Sequence, residues 1–279
     1  MTQNRRAPRL RAATVIRTER LTPHLIRVVL GGEGLTGFGA GTFTDEYVKL
    51  QFPQPGVVYP EPLDAEVIRR DMPRDQWPHS RTYTVRSWDP ESRELAIDFV
   101  HHGDKGIAGP WAARAKPGDV LHFFGPGGAY APDPSADWYL YAGDESALPA
   151  IAASVAKIPA GGLAHVFVEV DGPADELKFD GAGDLRVSWL HRGDRPVGEA
   201  LVEAVRGLEF PDGRVDVFVH GEANFVKDLR RHLRVERAIP REQLSISGYW
   251  RRGMNEDGWQ SGKGEWNAAV EAEEAAALT

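Results

Sequence analysis

The sequence predicts an N-terminal antiparallel β-barrel, then a parallel-sheet α/β domain, then a C-terminal helical tail. Three observations carry this. Short segments of alternating apolar residues follow one another over residues 12–131, with no helical periodicity between them. From the Pro132-Asp133-Pro134 break onward, valine-rich segments alternate with helical ones, the pattern of βαβ units. Beyond residue 247 the chain becomes aromatic and glycine-rich, then rich in alanine and glutamate. The expected domains are therefore 1–131, 132–247 and 248–279.

Each element has its own warrant. Ile26, Val28 and Leu30 alternate with Arg27 and Val29, and a glycine-rich break follows at residues 31–34. In Tyr47-Val48-Lys49-Leu50-Gln51-Phe52 the period of two sends Val48, Leu50 and Phe52 inward and Tyr47, Lys49 and Gln51 outward. Residues 53–80 hold several prolines and read as a long loop. Strands are expected at 81–86, at 95–101 and, after the Pro117-Gly118-Asp119 turn, at 120–124. In the second half, strands are expected at 138–142, 164–170, 185–190, 215–220 and 244–247, with helices at 147–158, 197–208 and 224–233. After a polar loop containing Gly258-Trp259, residues 265–278 read as a helix.

Composition narrows the chemistry. A length of 279 residues suits two domains, and 42% hydrophobic with 27% charged residues is ordinary for a soluble globular chain. The absence of cysteine excludes disulfides, thiolate metal sites, cysteine nucleophiles and cysteine-ligated iron–sulfur clusters. Any redox chemistry then falls to an organic cofactor. A net charge of −8 argues against nucleic acid as a partner. The one dense basic run, Arg5-Arg6 through Arg9 and Arg11, lacks a following apolar stretch and reads as a solvated tail rather than a signal peptide. Nothing approaches the ~18 apolar residues of a membrane span, so a cytoplasmic protein is expected; it is also expected to be a monomer.

The chemistry concentrates in three stretches. In Arg81-Thr82-Tyr83-Thr84-Val85-Arg86 a cation, a ring and hydroxyls share six residues. A guanidinium fork suits a diphosphate, a tyrosine ring lies against an isoalloxazine, and a threonine hydrogen-bonds a ring nitrogen. The same residues also suit an ordinary surface strand. Residues 101–111, from His101 through Gly106 and Gly109 to Pro110 and Trp111, place glycines before a helix, where backbone N–H groups can meet a diphosphate or simply turn the chain. Gly143-Asp144-Glu145-Ser146-Ala147-Leu148-Pro149 follows the first α/β strand, the position of a nucleotide-binding turn, with Glu145 where a second glycine would stand. Adjacent His101 and His102 point to opposite strand faces, and no protein-ligated metal is expected. The donor nucleotide stays open: Glu169 at a strand end suits a free ribose 2′-hydroxyl, whereas Arg192 and Arg195 suit a 2′-phosphate.

Together with His220-Gly221-Glu222 and Gly248-Tyr249-Trp250-Arg251-Arg252-Gly253, these stretches resemble the siderophore-interacting proteins, FAD-dependent ferric-siderophore reductases of the ferredoxin–NADP reductase superfamily. The resemblance spans nearly the whole chain, in order. It implies FAD at a domain cleft, held by Arg81, Thr82, Tyr83 and Thr84, by His101, Gly106, Gly109, Pro110 and Trp111, and by Tyr249 and Trp250. It places Asp144, Glu145, Ser146, Ala147 and the His220 turn toward the nicotinamide side. His220-Gly221 replaces the superfamily's Cys-Gly. The implied activity is reduction of a ferric siderophore to release Fe(II), with electrons from NAD(P)H or a ferredoxin and no catalytic residue beyond the flavin. Lys49, pointing away from the barrel core, with Arg251 and Arg252, is the expected contact for an anionic chelate. A general NAD(P)H-dependent flavin or ferredoxin reductase and a non-enzymatic flavin-containing siderophore-binding protein are the alternatives.

Overall fold

The computed structural model describes residues 9–39 and 43–278. Its contacts divide the chain into two compact units, Met1–Ala129 and Tyr130–Thr279.

In the first unit, β1 (Arg11–Thr22), β2 (Leu25–Gly31), β3 (Tyr47–Phe52), β4 (His79–Asp89), β5 (Glu94–Val100) and β6 (Val120–Gly127) close a barrel in the order β1-β2-β5-β4-β3-β6. All its ladders are antiparallel. The alternation in β3 is realised: Val48, Leu50 and Phe52 are buried, and Tyr47 and Lys49 are exposed. Val28, Leu30, Leu95, Ile97, Phe99, Leu121 and Phe123 complete the interior. Asp98, on the opposite face of β5 from Ile97 and Phe99, is also buried, and Arg27 on β2 grips it through two bonds of 2.7 and 2.8 Å.

Two expectations here need correction. The segment 53–80 is not loop throughout: α1 (Ala65–Asp71) forms where the Asp64 side chain accepts from the backbone N–H groups of Glu66 and Val67. The basic N-terminal run is not simply a solvated tail. Arg5 and Arg6 lie outside the described residues, but Arg11 opens β1 and donates to the carbonyls of Gly34, Thr36 and Gly37.

The second unit is a five-stranded parallel sheet in the order β11-β10-β7-β8-β9. Its strands are β7 (Trp138–Asp144), β8 (Leu163–Val170), β9 (Asp184–His191), β10 (Val215–Glu222) and β11 (Leu244–Trp250). β7 and β10 are buried along their whole length, as central parallel strands must be. Alternate residues of these strands, with α4 (Glu199–Arg206) and α5 (Ala223–Arg231), form one core through Leu140, Val217, Leu201, Phe225 and Leu229. α3 (Leu148–Val155) packs beside β7.

The tail joins this unit. Gly248, Tyr249 and Trp250 are the last residues of β11, and the final helix α6 spans Glu256–Ala277, nine residues earlier at its start than the alanine-rich stretch suggested. Asn255 caps it by accepting from Gly258 N. Trp259, Lys263, Trp266 and Val270 recur at helical spacing, and Trp259 and Val270 are buried. Lys227, Arg230, Arg234 and Arg241 pair with Glu271, Glu273 and Glu274 of α6.

Candidate functional site

In the barrel unit the predicted flavin residues converge on one irregularity. β3 covers β4 along its first half, with Leu50 opposite Arg81 and Val48 opposite Tyr83. β5 registers with β4 only over residues 85–89, across a bulge between Val85 and Ser87. Asp98, Phe99 and Val100 pair instead with Arg27, Ile26 and Leu25 of β2. The first half of β4 and the end of β5 therefore diverge. Aromatic rings line that divergence: Tyr83 lies 4.5 Å from Phe99 between centroids, and Phe99 lies 5.6 Å from Trp111. Phe52 meets Trp111 at 5.7 Å.

Trp111 belongs to α2 (Ala108–Arg114), which follows the loop from His101. Gly109 is required there, because a Cβ would stand 2.8 Å from the Val100 carbonyl oxygen. Gly106 adopts φ +83°, a left-handed turn that favours glycine. His101 N donates to His24 O at 2.9 Å and fixes the loop's start. Arg81 is half-buried, with Nη1 donating to Ser80 O at 2.7 Å, and Thr84 is buried. Thr82 points outward beside Lys49, its register partner.

Lys49 opens on a cavity of about 230 Å³ on the outer face of the same barrel. Gln51, Ser80, Trp77, Phe124 and Arg69 also line it. Arg69, on α1, lies over the Phe124 ring at 5.4 Å. Two cations and two aromatic faces line the cavity, and none of its lining residues is acidic among the described residues. Sequence reading missed Arg69 because it missed α1. The clue was Asp64-Ala65-Glu66, a cap followed by helix formers.

In the α/β unit the site residues gather at the carboxyl ends of β7, β8 and β10, where an open parallel sheet binds ligands. Gly143 is needed for the turn: a Cβ would stand 2.6 Å from Ala147 Cβ and 2.7 Å from the His220 carbonyl oxygen. Asp144 is wholly engaged within the unit. Its Oδ1 accepts from Ser146 N and Oγ, and its Oδ2 from Glu222 N at 2.9 Å and Trp250 Nε1 at 2.8 Å. Burial pushes its carboxyl up to about 6 despite these donors. Asp144 and Ser146 thus hold the turn together, and Ala147 is buried where α3 begins.

Glu145, 6% exposed, accepts from Arg192 Nη2 at 2.8 Å through Oε2, while its Oε1 has no partner. Burial raises its carboxyl above the ordinary range, and Arg192 offsets only part of that. Arg192 Nε also donates to Glu169 Oε1 at 2.9 Å, and Gly198 N reaches both Glu169 oxygens. The two options left open by sequence, Glu169 and Arg192, are partners of each other. Arg195 is bound by Glu199 and Glu203.

His220 is buried, with Nε2 2.9 Å from Ser245 Oγ. Burial, reinforced by Lys263, pushes it down to about 3, so it stays neutral near pH 7. Tyr249 meets its ring edge-on at 5.0 Å. Gly221 adopts φ +142°, with Asp144 Cγ 2.8 Å from where a Cβ would be. Glu222 caps α5 through Asn224 N and also accepts from Arg252 N at 3.0 Å, while the Arg252 side chain is exposed and Arg251 half-buried.

Comparison with known proteins bears on both units. Residues 14–130 match the siderophore-interacting FAD-binding domain, and residues 136–253 match the siderophore-interacting protein family. The chain is 35% identical over 254 residues to the ferric vibriobactin reductase ViuB of Vibrio cholerae, covering 88% of this chain and 90% of that one. It is 32% identical over 247 residues to an NADPH-dependent ferric-chelate reductase of Escherichia coli, covering 87% and 93%. A solved siderophore utilization protein from T. fusca superposes with a TM-score of 0.77 at 37% identity, covering 89% of this chain and 95% of that one. With a family match across each unit and relatives of this identity along most of their length, the chain belongs to the siderophore-interacting protein family.

Proposed function

We propose that this protein is an FAD-dependent oxidoreductase that reduces ferric siderophores, with electrons from a nicotinamide nucleotide. The observation that carries the reading is the divergence of β4 from β5 beside the part-buried rings of Tyr83 and Trp111, both backed by the buried Phe99. A flat tricyclic ring suits such a surface. Arg81 and Thr84 would hold its polar edge and diphosphate from β4, with Thr82, whose side chain faces outward, contributing its backbone. The His101 loop, with Gly106, Gly109 and Pro110, would bring backbone N–H groups to the phosphates. Tyr249 and Trp250 are proposed contacts for the same group. A bound FAD supplies what no side chain here can, taking two electrons together and passing them on singly.

The ferric siderophore is substrate and needs no iron ligand from the protein. Many such chelates are anionic, and a chain of net charge −8 repels them unless local cations intervene. The cavity of Lys49 and Arg69 supplies two, with Trp77 and Phe124 for apolar parts. Arg251 and Arg252 are proposed as further cations for the chelate. The named activities of the Vibrio and Escherichia relatives support the same reaction class. Among the described residues no helix is long and apolar enough to cross a membrane.

The test is anaerobic and direct. FAD-loaded protein should bleach with a nicotinamide nucleotide and regain its colour on addition of a ferric siderophore, with Fe(II) trapped by a chelator. Bleaching only by a reduced ferredoxin would transfer the donor role to a protein partner. Failure of the ferric chelate to restore the colour would refute the reductase reading.

A further inference from the structure

Resting on the nicotinamide donor proposed above, the geometry points to a narrower conclusion: this chain selects a donor with a free ribose 2′-hydroxyl, NADH rather than NADPH, through the Glu145–Arg192–Glu169 cluster. In open α/β sheets a carboxylate after the second strand suits the free hydroxyl, and an arginine nearby accommodates a 2′-phosphate. Here the carboxyl end of the β8–β9 edge carries Arg192 and Arg195. Both are already paired with carboxylates, Arg192 with two buried ones and Arg195 with two exposed ones. Arg192 donates Nη2 to Glu145 and Nε to Glu169, at 2.8 and 2.9 Å, and is 15% exposed. Arg195 donates to Glu199 and Glu203 at 2.8 and 2.6 Å. His191, the last residue of β9, lies 2.7 Å from Glu176.

The local charge balance has the same sign. Arg192 with two carboxylates sums to −1, and Arg195 with its two sums to −1 again. A 2′-phosphate would add nearly two further negative charges beside them. Arg192 could meet it only while sharing its charge with two buried carboxylates, and drawing it away would leave them uncompensated. A hydroxyl brings no such conflict. It can donate, and the cluster still holds an acceptor in need of a donor: Glu145 Oε1, buried and without a partner. Glu145 stands where a dinucleotide turn has glycine, and through Arg192 it is tied to Glu169, the carboxylate at the end of the second strand.

Two redox-inactive probes test this without turnover. Calorimetric titration of the FAD-loaded protein at low ionic strength should find ADP-ribose binding at least tenfold more tightly than 2′-phospho-ADP-ribose. Glu145→Gln leaves Arg192 paired with Glu169 but neutralises the cluster, and should shrink that ratio several-fold. A ratio below ten in the parent overturns the inference, as does a ratio that Glu145→Gln leaves unchanged in a variant with parental thermal stability. Should the variant not fold, the parental ratio decides alone. Flavin bleaching separates the two levels of argument. Reduction by NADPH at least as fast as by NADH refutes the selectivity and leaves the nucleotide reading standing. Reduction by neither refutes both.

Discussion

Replacing Trp250 by phenylalanine should destabilise the α/β unit, and more at alkaline than at acid pH. The indole Nε1 donates to Asp144 Oδ2 at 2.8 Å, and Asp144 is fully buried. A hydrogen bond to a charged group contributes about 1.5–3 kcal/mol, and one to a neutral group about 0.5–1.5 kcal/mol. Burial holds the Asp144 carboxyl at about 6, above its ordinary 3.8. A raised carboxyl favours folding most below the unfolded value, and that advantage is lost as pH rises through about 6. At pH 5 the group is largely protonated when folded, and at pH 8 it is ionised. Phenylalanine should therefore cost about 1 kcal/mol at pH 5 and about 2 kcal/mol at pH 8. By linkage, the difference of about 1 kcal/mol raises the Asp144 value in the variant by about 0.7, at about 1.36 kcal/mol per tenfold change in proton affinity. Urea unfolding at the two pH values, followed by circular dichroism, measures both costs. An equal cost at both would mean that the bond does not sense the charge on Asp144, and a smaller cost at pH 8 would reverse the sign of the reasoning.

Arg81→Ala should weaken FAD binding by about 1.5–3 kcal/mol, roughly 10- to 150-fold, read by flavin fluorescence during titration. Unchanged affinity would remove Arg81 from the diphosphate. Lys49→Ala should raise KM for an anionic ferric siderophore, with FAD content and bleaching by the nucleotide unchanged, because a uniform binding contact acts on KM more than on kcat. The effect should fade with added salt, since exposed charges are screened over ~10 Å at 0.1 M. A kcat effect, or none at low salt, would count against the cavity as the chelate's place.

Much of this architecture was legible because its burial is one-sided or total. The period of two in Tyr47–Phe52 assigns Lys49 to the outside and Leu50 to the core with no further information. The strands of the parallel sheet were legible for the opposite reason, as apolar runs with little polar relief. What escaped was structure whose local signal is contradicted by composition. Prolines around 53–80 obscured the two turns of α1, and with them Arg69. Gly258, Gly262 and Gly264 lowered helix propensity at the start of α6, although Trp259, Trp266 and Val270 already marked its buried stripe. The charge cluster was out of reach in another way. Glu145 and Arg192 are 47 positions apart, and nothing in the order of residues says that one neutralises the other.

The bond from Trp250 to Asp144, the Arg252 N–H on Glu222 and the ion pairs between α5 and α6 also bear on how this protein can be recombined. A chimera that takes residues 132–247 from one homologue and its ending from another draws the two sides of all three connections from different parents. The bond to Asp144 and the α5–α6 ion pairs then persist only where the second parent carries matching side chains, whereas the N–H at position 252 is backbone. The exchangeable cassette runs instead from Tyr130 through α6. Libraries that shuffle donor or siderophore preference should therefore place their only crossover near residue 130 and inherit the ending with the sheet.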